Sequence, residues 1–286
     1  MRVLVTGAAG MLGSDLIPKL VELGHEVTGV DMDVDITDPA AVDACVDRVQ
    51  PQAIFHLAAW TNVDGAEADE ATCMAVNGDG TRNVAQAAAR VEAALVAVST
   101  DYVFSGDNSA GYREDDPTGP MGAYGRTKLA GEQAACDEHP NGARIARTAW
   151  LYGAHGRNFV DTMRRLGADR DELTVVADQT GSPTWTRDLA PALIALLDQP
   201  PGIYHVAGGG SVTWADFARA IFVECGLDCA VRDVTTAEYG AAAPRPAWSI
   251  LTVTKPNAPR LRDWREALHE YIQTTSAAAG TEEPSQ

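Results

Sequence analysis

The chain has 286 residues, a formal net charge of −18 and a pI near 4.6. Length and an apolar fraction of 45% suffice for a large buried core in one or two domains. The acidic balance argues against a nucleic-acid partner, which needs a basic face. No apolar run approaches the roughly 18 residues of a membrane span and no signal peptide precedes the first strand, so a soluble cytoplasmic protein is expected.

Arg2 to Thr6 is a short apolar run with β-branched residues and predicts a buried strand. Gly7-Ala-Ala-Gly10-Met11-Leu12-Gly13 follows at once, and Ser14 to Leu23 then carries apolar residues at helical spacing up to Gly24. Strand, glycine-rich turn and helix are the context a dinucleotide fingerprint needs. Gly7 allows the tight turn, Gly10 lets the backbone approach a pyrophosphate, and Gly13 lets the helix pack closely on the sheet. The helix start, at Met11 and Leu12, turns free N–H groups and a positive dipole end toward phosphates. A second strand, Glu26 to Asp31, ends on a carboxylate 18 positions after Gly13, where it can accept hydrogen bonds from an adenosine ribose. A 2′-phosphate there would meet Asp31, with Asp33 and Asp35 close in sequence and no arginine following. NAD(H) is therefore expected in preference to NADP(H), with NADP(H) still admitted. Asp35 and Ile36 lie where a side chain and an amide could read the adenine edge.

Further strands are expected near 53–57, 94–99 and 143–148, with helical stretches between, which implies a doubly wound parallel sheet of the Rossmann α/β type. Beyond residue 150 the pattern is mixed. Residues 188–198 and 214–225 look helical, and 173–176 and 203–206 look extended. The stretch from Thr274 to the end has few groups to bury and is expected to be disordered. Five scattered cysteines read as reduced thiols, with no spacing for a metal site. His56, at the end of an apolar strand, and Trp185, Trp214 and Trp264 read as packing residues.

Tyr124 and Lys128 stand four residues apart, on one face of a helix. A cation so placed favours the phenolate and lowers the tyrosine pKa. A tyrosine tuned that way can pass a proton to a carbonyl oxygen near neutral pH. Thr100, in Ser99-Thr100-Asp101 at the end of an apolar run, could donate a second hydrogen bond to the same oxygen.

With Gly7 to Gly13, His56-Leu-Ala-Ala-Trp-Thr-Asn-Val-Asp64, Ser99-Thr-Asp-Tyr-Val-Phe104, Tyr124 to Glu132, Arg147-Thr-Ala-Trp-Leu-Tyr152 and Asp178-Gln-Thr-Gly-Ser-Pro-Thr184 in place, the chain resembles the extended short-chain dehydrogenase/reductase superfamily. Within it, the likeness is to the dTDP-4-dehydrorhamnose reductase family, from residue 1 to about residue 255. The resemblance implies NAD(P)H-dependent reduction of the 4-keto group of a dTDP-4-keto-6-deoxy sugar, giving dTDP-L-rhamnose. Thr100, Tyr124 and Lys128 would form the catalytic set, with Lys128 also holding the nicotinamide ribose. Thr100, Asp101 and Trp150 would contact the nucleotide sugar, and Ala59, Trp60 and Thr61 would line the cofactor cleft. Related dehydratases carry a glutamate where this chain has Tyr102, so elimination of water is disfavoured. The family pattern differs at Met11, Trp60 and Trp248, the last replacing an asparagine.

A negative chain repels a dianionic nucleotide sugar at long range, so local donors must gather its diphosphate; Arg147, Arg245 and Arg260 are the candidates. The resemblance also implies a nucleotide-binding domain over 1–150, a smaller substrate lobe over 151–273 that crosses back into it, and room for a homodimer. Two relatives set the alternatives: a non-catalytic regulatory subunit like the beta subunit of methionine adenosyltransferase, and a sugar-nucleotide epimerase that keeps its cofactor bound.

Overall fold

The computed structural model describes residues 1–279. Strand β1 (Arg2–Thr6) is buried from its second residue on, as befits a parallel strand with helices over both faces. β2 (Glu26–Val30), β3 (Ala53–His56), β4 (Ala94–Thr100), β5 (Ala143–Thr148) and β6 (Gly202–His205) complete one sheet. Its order is β6-β5-β4-β3-β1-β2, with every pair parallel. Register places Val3 beside both Val27 and Ala53, and Ser99 and Thr100 beside Arg147 and Thr148. The strand order reverses at β1: β2 lies on one side and β3 on the other. Connections leave the carboxyl ends of these strands in opposite directions, which opens a crevice there.

Successive side chains of a strand point to opposite faces, and β1 divides the core accordingly. Val3 and Val5 join Phe55, Leu16 and Leu20 on one face. Leu4 joins Ile54, Val46 and Val84 on the other. Leu16 and Leu20 belong to α1 (Met11–Glu22), the helix after the glycine turn. The helix Thr186–Ala195 packs beside α1 and adds Leu189 and Leu193 to the same face. Together with β6, it brings later chain back onto the first sheet.

The rest of the later chain has its own core. Glu172–Val176 pairs in parallel with Ala230–Val234. Helices Phe159–Asp169, Trp214–Cys225 and Trp264–Ala279 enclose an aromatic cluster of Tyr152, Phe217, Tyr271 and the three tryptophans 185, 214 and 264. The last helix is described through Ala279, past Thr274, where disorder was expected to begin; along it the Thr274 and Thr275 hydroxyls donate back to the Glu270 and Tyr271 carbonyls, and Arg164 donates to Thr275 Oγ1 at 2.8 Å. Residues 280–286 of the expected tail lie outside the described residues. No helix among the described residues is long and apolar enough to cross a membrane.

Candidate active site

The crevice is a cleft of about 1000 Å³ at the carboxyl ends of the strands. One end is the glycine turn. Gly7 has a φ of +69°, and a Cβ there would lie 2.7 Å from the Ala58 nitrogen, so only glycine fits between the two loops. A Cβ on Gly13 would lie 2.5 Å from the Ala8 carbonyl oxygen and 2.6 Å from that of Gly7. Gly10 is the N-cap of α1, and the N–H groups that open the helix, at Met11, Leu12 and Gly13, have no partner within it. All five of these residues line the cleft. The turn thus fits the diphosphate of a dinucleotide, with small residues where backbone must come close and donors facing the space.

Asp31, Asp35 and Ile36 line the same end. Asp31 Oδ2 accepts the Ala9 N–H at 2.9 Å, so the carboxylate is tied to the turn. Asp35 Oδ1 accepts from both the Thr37 hydroxyl and amide, and these bonds hold its pKa below the usual carboxylate value. Ala59 and Thr61 line the wall after β3. Trp60 does not. Asn77 pins its backbone from both sides, accepting its N–H at 2.9 Å and donating to its carbonyl at 3.1 Å, and the indole turns away to bond the Asn62 carbonyl. Asn77 lies in a π-helical turn, Ala75–Asp79, beside the cleft. His56 is buried between the Thr6 and Thr81 hydroxyls, and burial drives its pKa down to about 3; it packs there as a neutral ring.

Toward the other end, Thr100 closes β4 and Asp101 follows it, and Tyr124 and Lys128 come from α2 (Ala123–Glu138). Lys128 is buried and donates to the Val98 carbonyl at 2.7 Å. Burial pulls its pKa down to about 8, against the opposing pull of Glu132. Tyr124 corrects the expectation of a lowered phenol pKa. Burial, and then the negative Asp101, push it above the ordinary value, and the Thr100 hydroxyl only partly opposes them. Lys128, whose ammonium donates to the Val98 carbonyl, does not reverse the sign. Asp101 is 2% exposed. Its Oδ1 accepts from Thr100 Oγ1 at 3.0 Å, and its Oδ2 has no hydrogen-bond partner. Burial raises its pKa to about 7, despite nearby Ser249 and Thr100 hydroxyls. Tyr102 packs edge-on against Tyr124, 5.9 Å between ring centroids.

Trp150 also lines the cleft. It holds a left-handed backbone, φ +48°, and its indole stacks flat on Trp214 at 3.4 Å. A non-glycine residue in that region stores on the order of 1–3 kcal/mol of strain, here offset by the stack and by the Thr184 N–H donating to the Trp150 carbonyl.

None of the three candidate arginines lines the cleft. Arg147 is buried in an ion pair with Glu132, Arg245 pairs with Asp64 at 2.9 Å, and Arg260 is exposed away from the site. The arginine that does line it is Arg157, in the loop after Gly156 and close to the glycine turn. Its nearest sequence signal is the glycine at 156, with a φ of +82°, which lets the loop fold back toward Met11.

A family described as the RmlD substrate binding domain matches residues 1–277. The chain is 47% identical to the dTDP-4-dehydrorhamnose reductase of Streptomyces griseus, covering 99% of this chain and 97% of that one. It is 44% identical to the spore coat polysaccharide biosynthesis protein SpsK of Bacillus subtilis, covering 97% and 99%. The crystal structure of dTDP-4-dehydrorhamnose reductase from Bacillus anthracis in complex with NADP superimposes with a TM-score of 0.92 at 41% identity, over 96% of this chain and 99% of that one.

Proposed function

The chain belongs to the dTDP-4-dehydrorhamnose reductase family, within the extended short-chain dehydrogenase/reductases, and we propose that it reduces the 4-keto group of a dTDP-4-keto-6-deoxy sugar with a nicotinamide cofactor, giving dTDP-L-rhamnose. It is an NAD(P)H-dependent sugar-nucleotide oxidoreductase. One observation carries the reading: Thr100, Tyr124 and Lys128 meet in a single cleft whose other end is the glycine turn.

When bound, the reduced nicotinamide supplies the hydride that goes to sugar C4. Tyr124 gives the proton to the oxygen on that carbon. Its raised pKa suits this direction, because the phenol stays loaded at neutral pH and the alkoxide of a secondary alcohol is a far stronger base. The Thr100 hydroxyl holds the same oxygen. Lys128 balances the phenolate left behind and hydrogen-bonds the nicotinamide ribose. Asp101 and Trp150 frame the sugar. Met11, Leu12 and Gly13 amides take the cofactor diphosphate. Asp31 favours NAD(H): with Oδ2 held by Ala9, its other oxygen is left for ribose hydroxyls, and residues 31–37 offer no cation to a 2′-phosphate. Nucleotide-sugar and nicotinamide reactants put the reaction in the cytoplasm.

The test follows NADH and NADPH oxidation by the purified protein, with the 4-keto sugar nucleotide made in situ. Turnover is expected, falling roughly 10²- to 10⁴-fold in Tyr124→Phe while cofactor binding persists. Intact cofactor binding without turnover on this substrate would sink the proposal.

A further inference from the structure

Behind the catalytic helix lies a buried ion pair that the reaction as described leaves unused. Glu132 stands one turn beyond Lys128 and two beyond Tyr124, so all three lie along one face of α2. The Glu132 and Arg147 side chains are each 3% exposed. Arg147 meets the carboxylate with two nitrogens, Nη2 to Oε2 at 2.7 Å and Nε to Oε1 at 2.9 Å. Ser99 Oγ donates a short hydrogen bond to Oε1 of the same carboxylate. Ser99 lines the cleft, immediately precedes Thr100 and sits beside Arg147 in the sheet. The guanidinium is completed by the Phe104 ring below it, 5.0 Å away, and by the Glu114 carbonyl.

Stability is a poor explanation for such a pair, because desolvating two charges offsets most of their attraction and apolar residues of similar volume often do as well. Position explains it better. The Glu132 carboxylate ties together α2, β4 and β5 directly beneath the reacting groups. It is also the carboxylate on the helix face that carries a buried ammonium. The other titratable groups facing Lys128 are Cys73 from the helix Glu70–Met74, the neutral His56 from β3, and Tyr124 from α2 itself.

We propose that Glu132 is a positioning residue of this enzyme: held by Ser99, it is the counter-charge of Arg147 beneath the Lys128 ammonium, so that no unbalanced cation faces that lysine, and it sets the place of Ser99-Thr100 at the cleft. Replacing it with glutamine leaves Arg147 as an unbalanced buried cation, which repels the ammonium and eases loss of its proton. Removing both charges together returns Lys128 toward its original balance.

The inference rests on the catalytic reading of Lys128, but its primary test does not need turnover. The chain has three lysines, Lys19, Lys128 and Lys255, so lysine labelled with ¹³C at Cε gives three resonances, and Lys128→Met assigns one. The Lys128 midpoint in the wild type is expected near 8. In Glu132→Gln it should fall by roughly one pH unit, and in Glu132→Gln/Arg147→Gln most of that fall should be recovered. The alkaline limb of kcat should move with it. In Ser99→Ala, a milder change, kcat should fall about ten-fold with KM unchanged.

An unchanged Lys128 midpoint in folded Glu132→Gln overturns the counter-charge, and a wild-type kcat in Ser99→Ala overturns the link to Thr100. Should Glu132→Gln fail to fold, Arg147→Gln decides. It leaves Glu132 as an unbalanced anion, so the Lys128 midpoint should rise by roughly one pH unit, and an unchanged midpoint overturns the balance of charges. A midpoint that moves as expected in a protein without turnover counts against the reductase alone.

Discussion

Asp101 gives the structure a measurable pH signature. Its carboxyl is buried with one oxygen unpartnered, and its pKa is raised from 3.8 to about 7. A carboxyl raised in this way holds its proton more tightly folded than unfolded. Its contribution to stability is therefore fully present below the unfolded value, near 4, and is lost as pH rises through about 7. The whole rise corresponds to roughly 4 kcal/mol, of which about 3 kcal/mol falls between pH 5 and pH 8.5. Asp101→Asn keeps the shape, keeps an acceptor for Thr100 and removes the titration. Urea unfolding of the cofactor-free wild type and variant at the two pH values isolates the effect, since Lys128 and His56 titrate in both proteins and cancel in the comparison. Relative to wild type, the asparagine variant should gain roughly 3 kcal/mol on going from pH 5 to pH 8.5. The same pH dependence in the two proteins would refute the assignment of a raised carboxyl at this site.

Three further outcomes follow from the cofactor end. Gly13→Ala forces a methyl against two carbonyl oxygens, which should cost about 1–3 kcal/mol in thermal unfolding and weaken NADH binding; wild-type values in both would show that the turn can give. Arg157→Ala removes the arginine lining the cleft and should weaken cofactor binding roughly ten-fold in a fluorescence titration, with no loss of melting temperature; an unchanged Kd takes Arg157 out of cofactor binding. Asp31→Ser should raise the NADPH-to-NADH ratio of kcat/KM by about ten-fold or more, by removing a negative charge from the place a 2′-phosphate would occupy; a constant ratio would mean that another residue sets the preference.

Strands β1, β3 and β4 were legible as short apolar runs, which is all that a parallel strand covered on both faces needs, whereas 203–206 read only as extended and its pairing with β5 is a tertiary fact. The helix end was harder to read. Thr274-Thr275-Ser276 carries no apolar periodicity, and the contact that ties it down is Arg164, from another element, donating to the Thr275 and Ser276 hydroxyls. That too is a tertiary fact. The same holds for Trp60. Its neighbours Ala59 and Thr61 face the cleft, but Asn77, 17 residues on, pins the backbone so that the indole faces away.

Among the residues that line the cleft, those legible in the sequence lie in local spacing: three glycines in a turn, and a tyrosine and lysine on one helix face. What escaped is what the fold brings from afar. A lysine four residues from a tyrosine argues for a lowered phenol pKa, but burial and Asp101, 23 positions upstream, outweigh it. Arg147 read as a candidate to gather a diphosphate, yet it is buried in the interior of a parallel sheet, where a guanidinium must have a carboxylate. That requirement was a usable signal. The acid it calls for lies on the face of the helix that already carries Tyr124 and Lys128, eight positions beyond the first and four beyond the second, and Glu132 fills that place. The charge behind the active site thus follows from two constraints taken together, a strand that must be buried and a helix face that must be shared.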